Sequence, residues 1–300
     1  MAAGTPTPFS VEQLPPGRVG LRRAIAAEWT KLWSVRSTTW TLVGTAVAVV
    51  GLCALGTGTV NPSEIIDDPT RRSLIGVFLG QLIFGVLGVL VMSAEYGTGT
   101  IRATLSAVPR RPVVLTAKVI VFGAVAVVVS EGLAFSAFAL GQAILSAKHA
   151  VGTKAAAAQR AQQLGLKIPH NIQALLSNGS ASLGQPGVLR AVVGAGLYLA
   201  VLGLLALGLA TIIRHTAGAI SAFVGVVLVL PIIVEALPTG LSSALARYLP
   251  ANIGLVMFST QGVPDRVASA FSPWAGFALL VFYTVVTLGI GCWLLVRRDA

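Results

Sequence analysis

The stretch LIGVFLGQLIFGVLGVLVMSAEYGTGTIRATLSAVPRRPVVLTAK, Leu74 to Lys118, holds an uncharged apolar run, a short polar interval and the start of a second apolar run. A helix rises about 1.5 Å per residue, so a hydrocarbon core of about 30 Å takes about 20 residues. Leu74 to Met92 meets that length without a single charge and is expected to cross a bilayer. In the polar interval Gly97 and Gly99 break the helix, and Thr98 or Thr100 is placed to cap a new short one. Ile101, Leu105 and Val108 form an i, i+4, i+7 stripe on it before Pro109 stops it. With Arg102, Arg110 and Arg111 beside the stripe, the interval suits docking into a groove on a cytosolic partner. A solvated basic loop that only sets topology is the competing reading.

The rest of the chain repeats the apolar theme. Apolar side chains make up 55% of the 300 residues, Gly adds 33, and 10% are charged. Globular chains are about 45 to 50% apolar with Gly included and roughly 25% charged, so a mean hydropathy of +0.85 excludes soluble enzymes, disordered chains and disulfide scaffolds. Runs of spanning length lie at 38–55, 74–92, 113–145, 188–213, 218–237 and 274–296, giving an all-α integral membrane fold with six transmembrane helices. The third run exceeds one perpendicular crossing and is expected to tilt or project, with Lys118 snorkelling to the headgroups.

The excess of 21 Lys+Arg over 10 Asp+Glu reads as membrane topology rather than nucleic-acid binding, because no basic patch interleaved with aromatics is present. Residues 1–17, rich in Pro, Gly and Thr, read as a disordered cytosolic tail. Residues 18–36 form an amphipathic helix candidate with Leu21, Ile25, Trp29, Leu32 and Trp33 on one side and Arg23, Lys31 and Ser34 on the other, expected to lie flat at the interface. Residues 37–300 form the six-span domain, with an inner loop at 93–112 and outer loops at 146–187 and 238–273. The first outer loop contains KAAAAQRAQQLGL, a short helix by propensity, and the second holds pieces too short to span, which suit re-entrant or interfacial helices. With both termini inside, Lys148, Lys154, Arg160 and Lys167 fall outside against the positive-inside trend. Cys53 and Cys292 sit near opposite faces, too far apart in depth to pair.

Catalytic and metal constellations are missing from the sequence: His149, His170 and His215 are scattered, and neither GxSxG nor a GxxxxGK[ST] phosphate loop occurs. Glu131 is the sharpest polar feature inside a span, with Phe135, Phe138 and Gln142 on its helical face. It reads either as part of a substrate path or as a neutral, hydrogen-bonded packing residue. Glu235 reads as interfacial.

AEWTKLWSVRSTTWTL (27–42), EYGTGTIRATLSAVPRRPVVLTAK and SPWAGFALLVFY followed by LLVRRDA resemble the permease subunits of ABC-2 type exporters, over residues 21 to 300. The resemblance implies an N-terminal connecting helix, six spans, outer re-entrant helices between spans five and six, and a coupling helix between spans two and three. It carries the family's acidic, Gly-Thr and Arg positions onto Glu95, Gly99, Thr100 and Arg102, and its Pro-Arg-Arg onto Pro109, Arg110 and Arg111, beside the stripe residues Ile101 and Leu105. The basic loop at 146–187 departs from the pattern. The implied partners are two copies of a separate ATPase subunit, which binds ATP and Mg, a second identical or different permease chain, and the lipids of a bacterial plasma membrane. This chain would hold no cofactor and perform no chemistry. A self-contained proton-coupled transporter acting through Glu131 is the rival, although related halves and broken mid-membrane helices are not visible.

These readings fix a topology. After replacement of Cys53 and Cys292, Ser106→Cys should resist a membrane-impermeant thiol reagent in intact cells, whereas Thr153→Cys and Gln261→Cys should react. Labelling at 106 would invert the orientation.

Overall fold

A computed structural model describes residues 20–34, 36–59, 68–108, 110–164, 180–260 and 271–297. The tail 1–17, Pro109, and the stretches 165–179 and 261–270 of the two outer loops lie outside the described residues.

The described residues are helical without strands. In chain order the elements are α1 (Leu21–Ser34), α2 (Arg36–Gly58), α3 (Pro69–Ser73), α4 (Val77–Gly97), α5 (Thr100–Ala107), α6 (Arg111–Leu164) and α7 (Val188–Ile213). They continue with α8 (Thr216–Val224), a π-helical turn (Gly225–Val229), α9 (Leu230–Glu235), α10 (Thr239–Ala246), α11 (Pro250–Met257) and α12 (Pro273–Arg297). Six helices are long and apolar enough to cross a membrane: Trp40–Gly58, Val77–Gly97, Arg111–Lys148, Val188–Ile213, Thr216–Glu235 and Pro273–Arg297. Their length and composition are those of a multi-pass membrane protein. They fall within a few residues of the six apolar runs read from the sequence.

The bundle is built around α7, against which α4, α6 and α12 all pack. Its apolar window is 67% buried, whereas those of α2 and α8–α9 are each 22% buried. Small residues make this approach possible: a Cβ at Gly88 would collide with the Gly203 carbonyl, so only glycine lets α4 and α7 meet there. Tyr198 of α7, 1% exposed, donates its hydroxyl hydrogen bond to Gln81 Oε1 of α4 at 2.7 Å.

One local expectation is corrected and two features were not foreseen. The KAAAAQRAQQLGL segment is no separate helix, because α6 runs unbroken for 54 residues from Arg111 through Lys154 to Leu164. The lone Gly152 costs a helix only about 1 kcal/mol, too little to interrupt one already propagating. Second, α3 was not expected. Asp68 caps it by accepting from the Arg71 N–H at 3.0 Å, and Pro69 opens it, an Asp-Pro helix start that was legible in the sequence. Third, two arginines near α3 and α11 serve as caps: Arg190 donates to the Met257 and Ser259 carbonyls at 3.0 and 2.8 Å, and Arg72 to the Gly56 carbonyl at 3.1 Å. Asp68 also accepts from Thr260 N–H and Oγ1 at 2.6 and 2.8 Å, tying α3 to the segment after α11. Both cysteines are free, as their depths require.

Candidate functional site

The α4–α5–α6 junction is built around one backbone conformation. Gly99, at φ 70°, takes the left-handed position that turns the chain out of α4 and into α5. The threonines do not cap α5. Thr98 Oγ1 donates back to the Ala94 carbonyl at 2.8 Å and lies 2.9 Å from Thr100 Oγ1, so the α5 N-terminus has no side-chain cap. The apolar stripe also points differently from the docking expectation. Ile101 is 3% exposed in the chain's own core and Leu105 packs against it, so the stripe seals α5 onto the spans. Gly97 to Thr100, Arg102, Ala103, Ser106, Arg110 and Pro112 are exposed at this junction. Arg111 turns the other way and donates to the Leu295 carbonyl at 3.0 Å, while Arg214 donates to the Leu294 carbonyl at 3.2 Å. Two arginines thus satisfy carbonyls in the last turn of α12. Arg214 also lies over the Tyr96 ring, 5.5 Å from its centroid, which seats the α7–α8 turn against the end of α4.

Above this junction sits an ion-pair network that the sequence reading dispersed. Lys118 does not snorkel. It is 1% exposed, and its ammonium donates to Glu95 Oε1 at 2.6 Å and to Glu28 Oε2 at 2.8 Å. Lys31 pairs with the same Glu95 Oε1. The network therefore joins α1, α4 and α6 at the end that carries α5. Its physical reason is the depth of Lys118, seven residues into α6, where an ammonium without partners would be costly and the two carboxylates are within reach. On α1, Ala24 is buried with Glu28 half-buried, and α1 packs on α6, whereas Trp29 and Trp33 are 48 and 46% exposed with their rings edge-on at 5.9 Å. Leu32 is half-buried beside them. Glu28 went unnoticed in the sequence, although a lysine inside an apolar run is itself a signal that a carboxylate must be near.

The Glu131 group does not converge on one place. Both Glu131 oxygens are buried without a hydrogen-bond partner among the described residues. The carboxyl rests against Gly196 of α7, where a Cβ would fall 2.5 Å from its carbon, and the neighbouring Ser130 donates to the Gly196 carbonyl at 2.8 Å. Phe135 is 37% exposed and Phe138 is buried. Gln142 is saturated: its amide nitrogen donates to the Pro69 carbonyl and Ser73 Oγ at 3.1 and 2.8 Å, and its Oε1 accepts from Ala181 N–H at 2.6 Å. It locks α3 to α6. Among the described residues no cluster of three His, Cys, Asp or Glu is arranged to hold a metal ion. No protein-family model and no curated protein matches the sequence.

Two outcomes follow from this geometry. Lys118→Met removes the centre of the network and leaves the half-buried Glu28 and one side of the buried Glu95 without their cation, so unfolding in detergent should show a loss of about 3 to 5 kcal/mol, part of which Glu28→Gln should restore in the double variant. Glu131→Leu, by contrast, deletes a buried carboxyl whose oxygens make no hydrogen bond beyond a marginal approach to the Leu197 N–H, and thermal unfolding should show unchanged or higher stability.

Proposed function

We propose that this chain is the membrane-spanning permease subunit of an ABC-2 type exporter, coupling ATP hydrolysis by a separate ATPase subunit to export of an amphipathic or hydrophobic compound. One observation carries the reading: the order of the non-spanning helices. A surface helix, α1, precedes the first span, a short helix, α5, joins spans two and three at the same end, and two short helices, α10 and α11, join spans five and six at the other. That is the arrangement the sequence resemblance implies. The lack of a phosphate loop in the sequence agrees with ATP and Mg being held by a partner.

In this reading α1 is the connecting helix, with Trp29 and Trp33 at headgroup depth, and α5 is the coupling helix. Because Ile101 and Leu105 face inward, the surface offered to each of two ATPase copies is the polar one, Arg102, Ser106 and Arg110. A push on that surface passes through the sealed stripe into α4 and α6, and through Glu95, Lys118 and Glu28 into α1, so three helices move as one body. The α10–α11 pair is the outer re-entrant unit, and Gly254 of α11 lies so close to the Tyr198 ring that a Cβ there would overlap it. A second permease chain would complete the path, and a bacterial plasma membrane with both termini cytosolic is the setting this implies.

The buried, unpartnered Glu131 favours the rival, a proton-coupled transporter that works alone. Co-expression with a phosphate-loop ATPase, sought in the neighbouring reading frames, separates the two. Arg102→Glu with Arg110→Glu should abolish co-purification of the ATPase and stop export while leaving membrane insertion and thermal unfolding unchanged. Export that continues without the ATPase would decide for the rival.

A further inference from the structure

Beneath the ion-pair network, α1, α2, α4 and α6 leave a cleft of about 340 Å³ open to the surroundings. Such a volume is at the lower end of what small-ligand sites enclose. Its walls are apolar, with Leu42 from α2, Leu87 and Leu90 from α4 and Val125 from α6, and its other end holds Glu28, Lys31, Glu95 and Lys118. From Glu95 to Leu87 along α4 the cleft runs about 12 Å. It therefore has a charged mouth and an apolar shaft, the division of an amphiphile.

We infer that this cleft binds the headgroup and the first part of one acyl chain of a phospholipid with a primary amine, of the phosphatidylethanolamine type. The network is balanced, two carboxylates against two ammonium groups, so a ligand of net zero charge leaves no uncompensated charge in an apolar surrounding. A zwitterion meets that condition and a purely anionic or cationic head does not. Within the network one valence is open: Glu28 lines the cleft with its side chain 13% exposed, and its Oε2 is taken by Lys118 while its Oε1 has no partner among the described residues. Such an oxygen calls for a donor, and a primary ammonium has three N–H groups to give whereas a quaternary one has none. Lys31, whose side chain is 44% exposed, keeps donors free for the phosphate. The flanking Trp29 and Trp33 are exposed on α1 beside Lys31 and Leu32, at the level where indole rings meet headgroups. Leu90, 39% exposed, stands on the rim through which the chain would pass from the leaflet.

The test uses the chain alone, so it neither requires nor touches the exporter reading. Purified chain in nanodiscs of phosphatidylcholine is titrated with phosphatidylethanolamine or phosphatidylglycerol, and bound lipid is counted by native mass spectrometry. Phosphatidylethanolamine should be retained about tenfold or more over phosphatidylcholine, the effect of one charge-assisted hydrogen bond. Leu90→Trp from one wall and Val125→Phe from the other should each abolish that preference with thermal unfolding unchanged, and Val285→Trp, at a position 62% exposed on α12, which does not line the cleft, should keep it. Equal retention of the two zwitterions would overturn the donor argument, strongest retention of phosphatidylglycerol would overturn the charge argument, and a preference that survives both cleft variants would overturn the location.

Discussion

An ammonium group buried inside an apolar helix bundle has to be met by carboxylates, and in this chain that constraint organises one whole end of the molecule. Lys118 draws Glu95 from α4 and Glu28 from α1. Taking a lysine and two glutamates out of water is costly, and the cost is offset only where all three arrive together with good geometry. The network is thus a specificity device before it is a source of stability. It allows one placement of α1 relative to α6, and with α1 it places the two tryptophans, the cleft and the entry to the first span. Helix α5 hangs from the same corner, one turn beyond Glu95.

How much of this was legible depended on the range over which each signal acts. The six spans came through because an apolar run of spanning length needs no partner to be recognised, and the α5 helix came through because Gly99 and Pro109 punctuate locally. The direction in which Ile101 points did not. A stripe of three apolar residues on a short helix is equally consistent with sealing onto its own bundle and with docking elsewhere, and the choice depends on how the flanking α4 and α6 are oriented around it. Lys118 was misread for a related reason: sequence shows that a lysine lies near a span end, while Glu28 is 90 residues distant. Glu131, Phe135, Phe138 and Gln142 share a helical face by periodicity, yet along that face the neighbours change from α7 to α3, and one face met several environments. The Asp68-Pro69 start of α3 was local and readable, but the pattern was masked by the much stronger apolar run behind it.

Burial divides the spans into two mechanical classes. Helix α7 is held on several sides, with α4 meeting it at Gly88–Gly203 separation and α6 meeting it at Ser130–Gly196. Interiors packed this closely do not deform gradually. The more lightly buried α2, α8–α9 and α12 are the helices whose apolar faces remain for lipid or for another chain.

The π-helical turn in the fifth span completes that division. Pro231 has no N–H to give to the preceding turn and its ring crowds the carbonyl four residues back, and the wide turn at Gly225–Val229 absorbs the mismatch. The span is consequently two rods in series, a broken helix that the sequence reading did not find. The first, α8, is anchored by Phe223, whose ring fills the space left by Gly85 of α4. The second, α9, is largely exposed and leads directly into α10. A turn already lacking one backbone hydrogen bond bends with little further loss, so α9 and α10 can swing while α8 stays seated. The two halves of the span are therefore mechanically separable, and a displacement at the α9–α10 end need not disturb the seat of α8 against α4.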